Sequence, residues 1–142
     1  MHKMKYSDFI KDPRIRLLMS LDLDTQDFAI YGSGLLWVHR LRPVSDLDII
    51  ARGEAWEKVK KMGPLSSATL NGAPTVRLFD GALEFTNGWV AGESDVDKLI
   101  DEAEVIYGLR FVKLPYVLSY KRRLRREKDI ADIKALQAYF GN

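Results

Sequence analysis

Apolar and polar positions repeat with two different periods along the chain, and the switches between them predict the elements. SDFIKDPRIRLLMSLDL (7–23) reads as helix, with Asp12 as its N-cap and Pro13 at the first helical position. DFAIY (27–31) is a short strand stopped by Gly32. GLLWVHRL (34–41) is apolar and helical, and must end before Pro43 because the residue preceding proline avoids helical geometry. DLDIIA (46–51) is the next strand, and GEAWEKVKKMG (53–63) an amphipathic helix with Gly63 and Pro64 as stop signals. The middle turns to period two: strand-like runs from Ser66 to Thr86 hinge on Asn71-Gly72 and Asp80-Gly81, dipeptides that tolerate the positive φ of hairpin turns. SDVDKLIDEAE (94–104) is a short acidic helix, and VIYGLRFVKL (105–114) gives one or two strands broken near Gly108. Pro115 opens the helix PYVLSYKRRLRR, and EKDIADIKALQAYF (127–140) follows with Ile130, Ile133, Leu136, Gln137 and Phe140 on one face.

Helix, strand, helix, strand, helix, hairpins and a helical tail predict an α/β or α+β fold centred on a mixed sheet. No repeat or low-complexity linker divides the chain. Residues 1–142 are expected to form one domain, with a helical lead-in to about residue 27 and C-terminal helices over 115–142. A composition 46% hydrophobic and 30% charged is that of a soluble globular protein. Without cysteine there is neither a disulfide nor a thiolate metal site. No apolar run is long enough to span a bilayer, and the first residues hold no apolar leader core, so the expected location is the cytoplasm, away from membranes. The net charge of +2 matters less than its distribution. Acidic residues dominate 93–104, while Arg110, Lys113, Lys121, Arg122, Arg123, Arg125, Arg126 and Lys128 crowd 110–128. That crowd is either a solvated helix face or a surface for a phosphate-bearing partner.

One segment resists a purely structural reading. Asp46 and Asp48 sit within an apolar strand and point to the same face, about 7 Å apart by strand geometry. Two such charges repel and resist desolvation, and a divalent cation removes both penalties. Mg²⁺ suits the pattern, since it takes one or two carboxylates plus substrate phosphates. Upstream, the Gly32-Ser33-Gly34 break offers backbone N–H groups and a hydroxyl to a phosphate. A two-metal site needs a third carboxylate on a neighbouring strand. Glu84, between core-facing Leu83 and Phe85, is the expected one. Asp80 is the competitor, but its place in a hairpin turn accounts for it.

This ordered set resembles the nucleotidyltransferase superfamily, the DNA polymerase β-like fold. Gly32-Ser33, a spacer from Gly34 to Ser45, Asp46-Leu47-Asp48 and the isolated Glu84 match its signature. SYKRRLRREKDIADIKAL in the tail is similar to small bacterial members related to abortive-infection toxins, in which a Lys/Arg helix leads into Lys-Asp-x-x-Asp-Ile. The resemblance implies transfer of a nucleoside monophosphate from an NTP such as ATP, with two Mg²⁺ ions bound. It implies that Asp46, Asp48 and Glu84 hold the metals, with Glu84 helping to deprotonate the attacking hydroxyl. Gly32 and Ser33 would hold the triphosphate, and Lys121, with Arg125 or Lys128, would neutralise phosphate charge. Here the third carboxylate is Glu where Asp is more usual, and the chain is short for a large acceptor domain. The acceptor is therefore a small molecule, a protein or an RNA end, and DNA is not expected. A non-catalytic nucleotide- or RNA-binding relative, or the inactive partner of an enzyme, is the alternative.

Other conspicuous residues have simpler readings. His39 is expected at a helix end, and Trp37, Trp56 and Trp89 in packing, with Trp89 able to stack a base if it borders a cleft. Asp129 and Asp132 either favour a helix start or belong to the nucleotide site. Arg122, Arg123 and Arg126 are expected in solvent or facing the acceptor. An exposed hairpin edge could pair two copies into a homodimer.

Overall fold

The computed structural model describes residues 3–66, 73–88 and 95–141; the Asn71-Gly72 hinge, Glu93 and Trp89 lie outside them. The fold is α/β with a seven-stranded mixed sheet at its centre. Where one N-terminal helix was expected there are two, α1 (Tyr6–Lys11) and α2 (Pro13–Ser20). Asp12 separates them. Its backbone is extended, as an N-cap before proline must be, and its side chain accepts from the Arg14 N–H at 2.9 Å, so the residue that starts α2 also ends α1.

Strand β1 (Phe28–Tyr31) leads through Gly32 into α3 (Gly34–Val38), which is shorter than its apolar run because Arg40 takes φ +61. Next come β2 (Leu47–Ala51), α4 (Gly53–Lys60) and the short β3 (Leu65–Ser66). β4 (Thr75–Leu78) and β5 (Leu83–Thr86) form an antiparallel hairpin around Asp80-Gly81, where Phe79, Asp80 and Gly81 all have positive φ. α5 (Val96–Asp101) is N-capped by Asp95; β6 (Glu104–Ile106) and β7 (Leu109–Phe111) turn on Tyr107-Gly108. The chain then closes on α6 (Leu114–Leu124) and α7 (Glu127–Phe140).

The strand order is β3-β4-β5-β2-β1-β7-β6, with parallel pairing at β5/β2 and β1/β7 and antiparallel pairing elsewhere. Leu47, Ile49, Leu83 and Phe85 are fully buried and alternate with half-buried Asp48 and Glu84. One face of β2 and β5 therefore builds core while the other is left for polar groups. Trp37 and Trp56 are buried packing residues, as expected.

The last helix buries only part of the expected face. Leu136 is buried and Ile133 and Gln137 are half-buried, but Ile130 and Phe140 are exposed, and Asp129 and Asp132 are buried in their place. The reason is electrostatic. α7 packs beside α6, where Lys121 is itself buried, and the two carboxylates turn inward to meet that ammonium group.

Candidate metal and phosphate site

The sheet register assembles the floor of the site. Arg77 on β4 pairs with Glu84 on β5, Glu84 with Asp48 on β2, and Asp48 with Tyr31 on β1. Four adjacent strands thus contribute one residue each to a single row. Asp46 lies two residues before Asp48, just ahead of β2. Asp46, Asp48 and Glu84 offer carboxylate oxygens within 4.8 Å of one another, and all three are half-buried. Asp80 is exposed in its turn and is not part of this cluster.

Above this floor is a cavity of about 770 Å³. Its wall includes Gly32, Ser33, Arg42, Arg77, Lys121, Arg126 and Lys128, together with the three carboxylates and the rings of Tyr31 and Tyr120. The two tyrosines meet edge to face at 5.8 Å between ring centroids. Arg125 does not line this cavity; it is the left-handed C-cap of α6 and groups with Ser119, Arg122 and Arg123 on another surface. The turn from α6 into α7 sends Arg125 one way and Arg126 the other, so Arg126 takes the place expected of Arg125.

The charges are arranged unevenly. Among the described residues no lysine or arginine forms an ion pair with Asp46 or Asp48, whereas Glu84 accepts from Arg77 Nε at 2.9 Å. Burial, then the charges of Asp46 and Glu84, push the Asp48 carboxyl up to about 7, against the opposing pull of Lys121 and Lys128. Burial, then the charge of Asp48, also raises Tyr31, which stays a neutral phenol. Gly32 has φ +64, and a Cβ there would lie 3.2 Å from Asp48 Oδ2, so the turn closes directly over the carboxylate.

The donor set fits Mg²⁺. It is all oxygen and largely unneutralised, with carboxylates pressed together at a distance that charge repulsion alone disfavours. Asp46, Asp48 and Glu84 are the residues that could hold such an ion.

A second charged cluster lies along the basic side of the wall. Lys121, 2% exposed, donates to Asp132 at 3.0 Å and to Ser33 Oγ at 3.2 Å, and lies 3.7 Å from Asp129. Arg42 grips Asp132 through Nε and Nη2, each at 2.7 Å, and its Nη2 also donates to Ser33 Oγ at 2.9 Å. Asp129 accepts from the Arg126 backbone and side chain and closes a capping box on α7. Lys121 is therefore committed to carboxylates of its own chain. Lys128 lines the cavity without an ion pair among the described residues.

Sequence reasoning named Gly32, Ser33, Asp46, Asp48, Glu84, Lys121 and Lys128, and the structure brings these to one cavity. It missed Arg42, Arg77, Tyr31 and Tyr120. Arg77 had a signal, because Arg77 and Glu84 are equidistant from the Asp80-Gly81 turn and so face each other across the hairpin. Arg42 had none, since it lies in a connection with no periodicity. His39 is the C-cap of α3, as expected, but it is also buried against Tyr139 and Phe140. Among the described residues no helix is long and apolar enough to cross a membrane.

Comparison with family models, curated proteins and solved structures finds no match to this chain.

Proposed function

We propose that the chain is a Mg²⁺-dependent nucleotidyltransferase that moves a nucleoside monophosphate from an NTP to a hydroxyl acceptor. One observation carries the reading: three carboxylates from one sheet face converge within 4.8 Å on the floor of a cavity whose wall is basic. A carboxylate floor alone suits many cations. A carboxylate floor beneath Arg126, Lys128 and the Ser33 hydroxyl suits a cation carried with phosphate.

Asp46, Asp48 and Glu84 would hold Mg²⁺, which when bound supplies positive charge to the reacting phosphoryl group. The chain's own residues do the rest by position and charge. Lys128 orients the triphosphate from the wall, with Arg126, held by Asp129, beside it, and Ser33 binds a phosphoryl oxygen. Glu84 takes the acceptor hydroxyl's proton on Oε1, the oxygen that Arg77 leaves free. The acceptor oxygen then bonds to the α-phosphorus as the bond from that phosphorus to the bridging oxygen breaks, and pyrophosphate departs with the electron pair. A cavity of about 770 Å³ is within the range for one nucleotide-sized ligand, and its open side leaves the acceptor's identity to be found.

The test is thermal unfolding with ATP, GTP, CTP and UTP in turn, each with and without Mg²⁺, followed by transfer assays with labelled nucleotide. A nucleotide at 100 times its dissociation constant adds about 2.7 kcal/mol, several degrees for a chain of this size. A Mg²⁺-dependent shift that Asp46→Asn and Asp48→Asn abolish supports the reading. Binding that ignores Mg²⁺ and weakens with salt would support a non-catalytic nucleotide or RNA binder instead.

A further inference from the structure

Ser33 is hydrogen-bonded in an unusual way. Arg42 Nη2 and Lys121 Nζ both approach its hydroxyl oxygen, at 2.9 and 3.2 Å. A guanidinium and an ammonium can only donate, so both bonds are accepted by Ser33. A serine hydroxyl has two acceptor positions and one proton, and both acceptor positions are taken. The proton has no acceptor among the described residues, and Ser33 does not cap α3 with its side chain. Ser33 itself lines the cavity, where an acceptor could meet that proton.

The two cations are themselves fixed. Asp132 holds Arg42 through two 2.7 Å bonds and Lys121 through one of 3.0 Å, so three donors from two side chains converge on one carboxylate. Arg42 sits on the connection before β2, Lys121 on α6 and Asp132 on α7. The arrangement runs from the last helix, through two cations, to one hydroxyl on the β1–α3 turn.

We infer that Arg42, anchored by Asp132, is a positioning residue for the proposed phosphate site: with Lys121 it fills both acceptor positions of Ser33, so that this hydroxyl can only donate to a phosphoryl oxygen. This deepens the proposed nucleotidyl-transfer reading by naming how the triphosphate is recognised. It also reassigns the tail. The charge of Lys121 is spent on Asp132 and Ser33, so its contribution to the ligand is orientation; the direct cationic contact falls first to Lys128, because Asp129 holds Nε and Nη2 of Arg126. A hydroxyl whose acceptor positions are filled favours ligands that accept, such as phosphate, and disfavours ligands that present a donor at the same point.

The inference is tested by titrating the full chain with Mg²⁺–tripolyphosphate, which has the phosphates of a nucleotide and no base or sugar. Ser33→Ala, Arg42→Gln, Arg42→Lys and the double variant Ser33→Ala/Arg42→Gln are compared with the wild type. Ser33→Ala should weaken binding 10- to 100-fold, the range for a hydrogen bond to a charged group. Arg42→Gln should weaken it as well, and the double variant should bind no more weakly than Ser33→Ala alone, because Arg42 acts through the missing hydroxyl. Arg42→Lys, which keeps a donor and a charge but not the two-pronged grip on Asp132, should fall between wild type and Arg42→Gln. In a transfer assay the Arg42 variants should raise KM with a smaller change in kcat. Equal binding by wild type and Ser33→Ala, or fully additive losses in the double variant, would overturn the inference, and so would no binding of tripolyphosphate by the wild type. Tripolyphosphate binding that follows the expected pattern, with no transfer from any NTP, would sink the enzymatic reading and leave this one standing.

Discussion

Replacing Asp132 with Asn should cost the fold about 3 kcal/mol, at the lower end of what removing one partner from a buried ion pair costs. The size follows from what is left behind. Lys121 is 2% exposed, and its shortest bond to a carboxylate is the one at 3.0 Å to Asp132. Without that charge it retains Asp129 at 3.7 Å and the Ser33 hydroxyl, so the ammonium is under-compensated but not orphaned. Arg42 loses its partner's charge and one of its two 2.7 Å bonds, yet it is one-third exposed and can turn to water, which adds little. The expected fall in melting temperature is roughly 10 °C for a domain of this size. Urea unfolding at pH 7 checks it, with the m-value confirming that the unfolded state is unchanged. A pH series supplies an independent check. Burial tends to raise the Asp132 carboxyl, but hydrogen bonds from Arg42 and Lys121 outweigh it and hold the group below its ordinary value. A lowered carboxyl contributes stability that is complete above the unfolded value near 3.8 and is lost as pH falls below it. Asp132→Asn should therefore cost most at neutral pH and least below pH 3. A loss under 1 kcal/mol, or a loss independent of pH, would refute the account of α7 as held by this cluster.

Two other perturbations have defined outcomes. Asp48 is raised in the folded chain, so its contribution is present below pH 3.8 and lost as pH climbs toward 7. Without metal the wild type should lose stability over that window by roughly 2 kcal/mol, after discounting for solvent; Asp48→Asn should lack this fall, and Mg²⁺ at pH 8 should stabilise the wild type but not the variant, both read by thermal melts. His39 has both ring nitrogens buried without a hydrogen-bond partner, and burial lowers its pKa, so protonation costs stability as pH falls below about 6.5. His39→Phe, which suits the contacts with Tyr139 and Phe140, should match or exceed wild-type stability at pH 7 within about 1 kcal/mol and remove the decline between pH 6.5 and 5 in chemical denaturation.

Strong local signals carried most of the fold. The hairpin at Asp80-Gly81, the break at Gly108 and the Asp12-Pro13 start each rest on backbone chemistry that one or two residues decide. Asp46 and Asp48 were legible because a charge repeated every second residue in an apolar strand has few structural excuses. The buried face of α7 was read only in part, because an apolar periodicity count treats aspartate as surface. Asp129 and Asp132 are buried by cations from other elements, Arg42 being 90 positions away from Asp132. Arg125 and Arg126 could not be told apart either, since the left-handed residue between two helices reverses the side-chain directions that periodicity assumes.

The parallel pairing of β2 with β5 has a further consequence. Asp48 stands opposite Glu84 only in the observed register, and the same register buries Leu47, Ile49, Leu83 and Phe85. A slip of one residue in β5 would turn Glu84 into the core and Leu83 and Phe85 outward, so the site and the hydrophobic layer stand or fall together. Residues 52–82, 31 positions, join the two strands, so their pairing is a non-local contact that waits on closure of that loop. A chain that has acquired its carboxylate cluster has by then already rejected the misaligned alternatives, and the core supplies the selection.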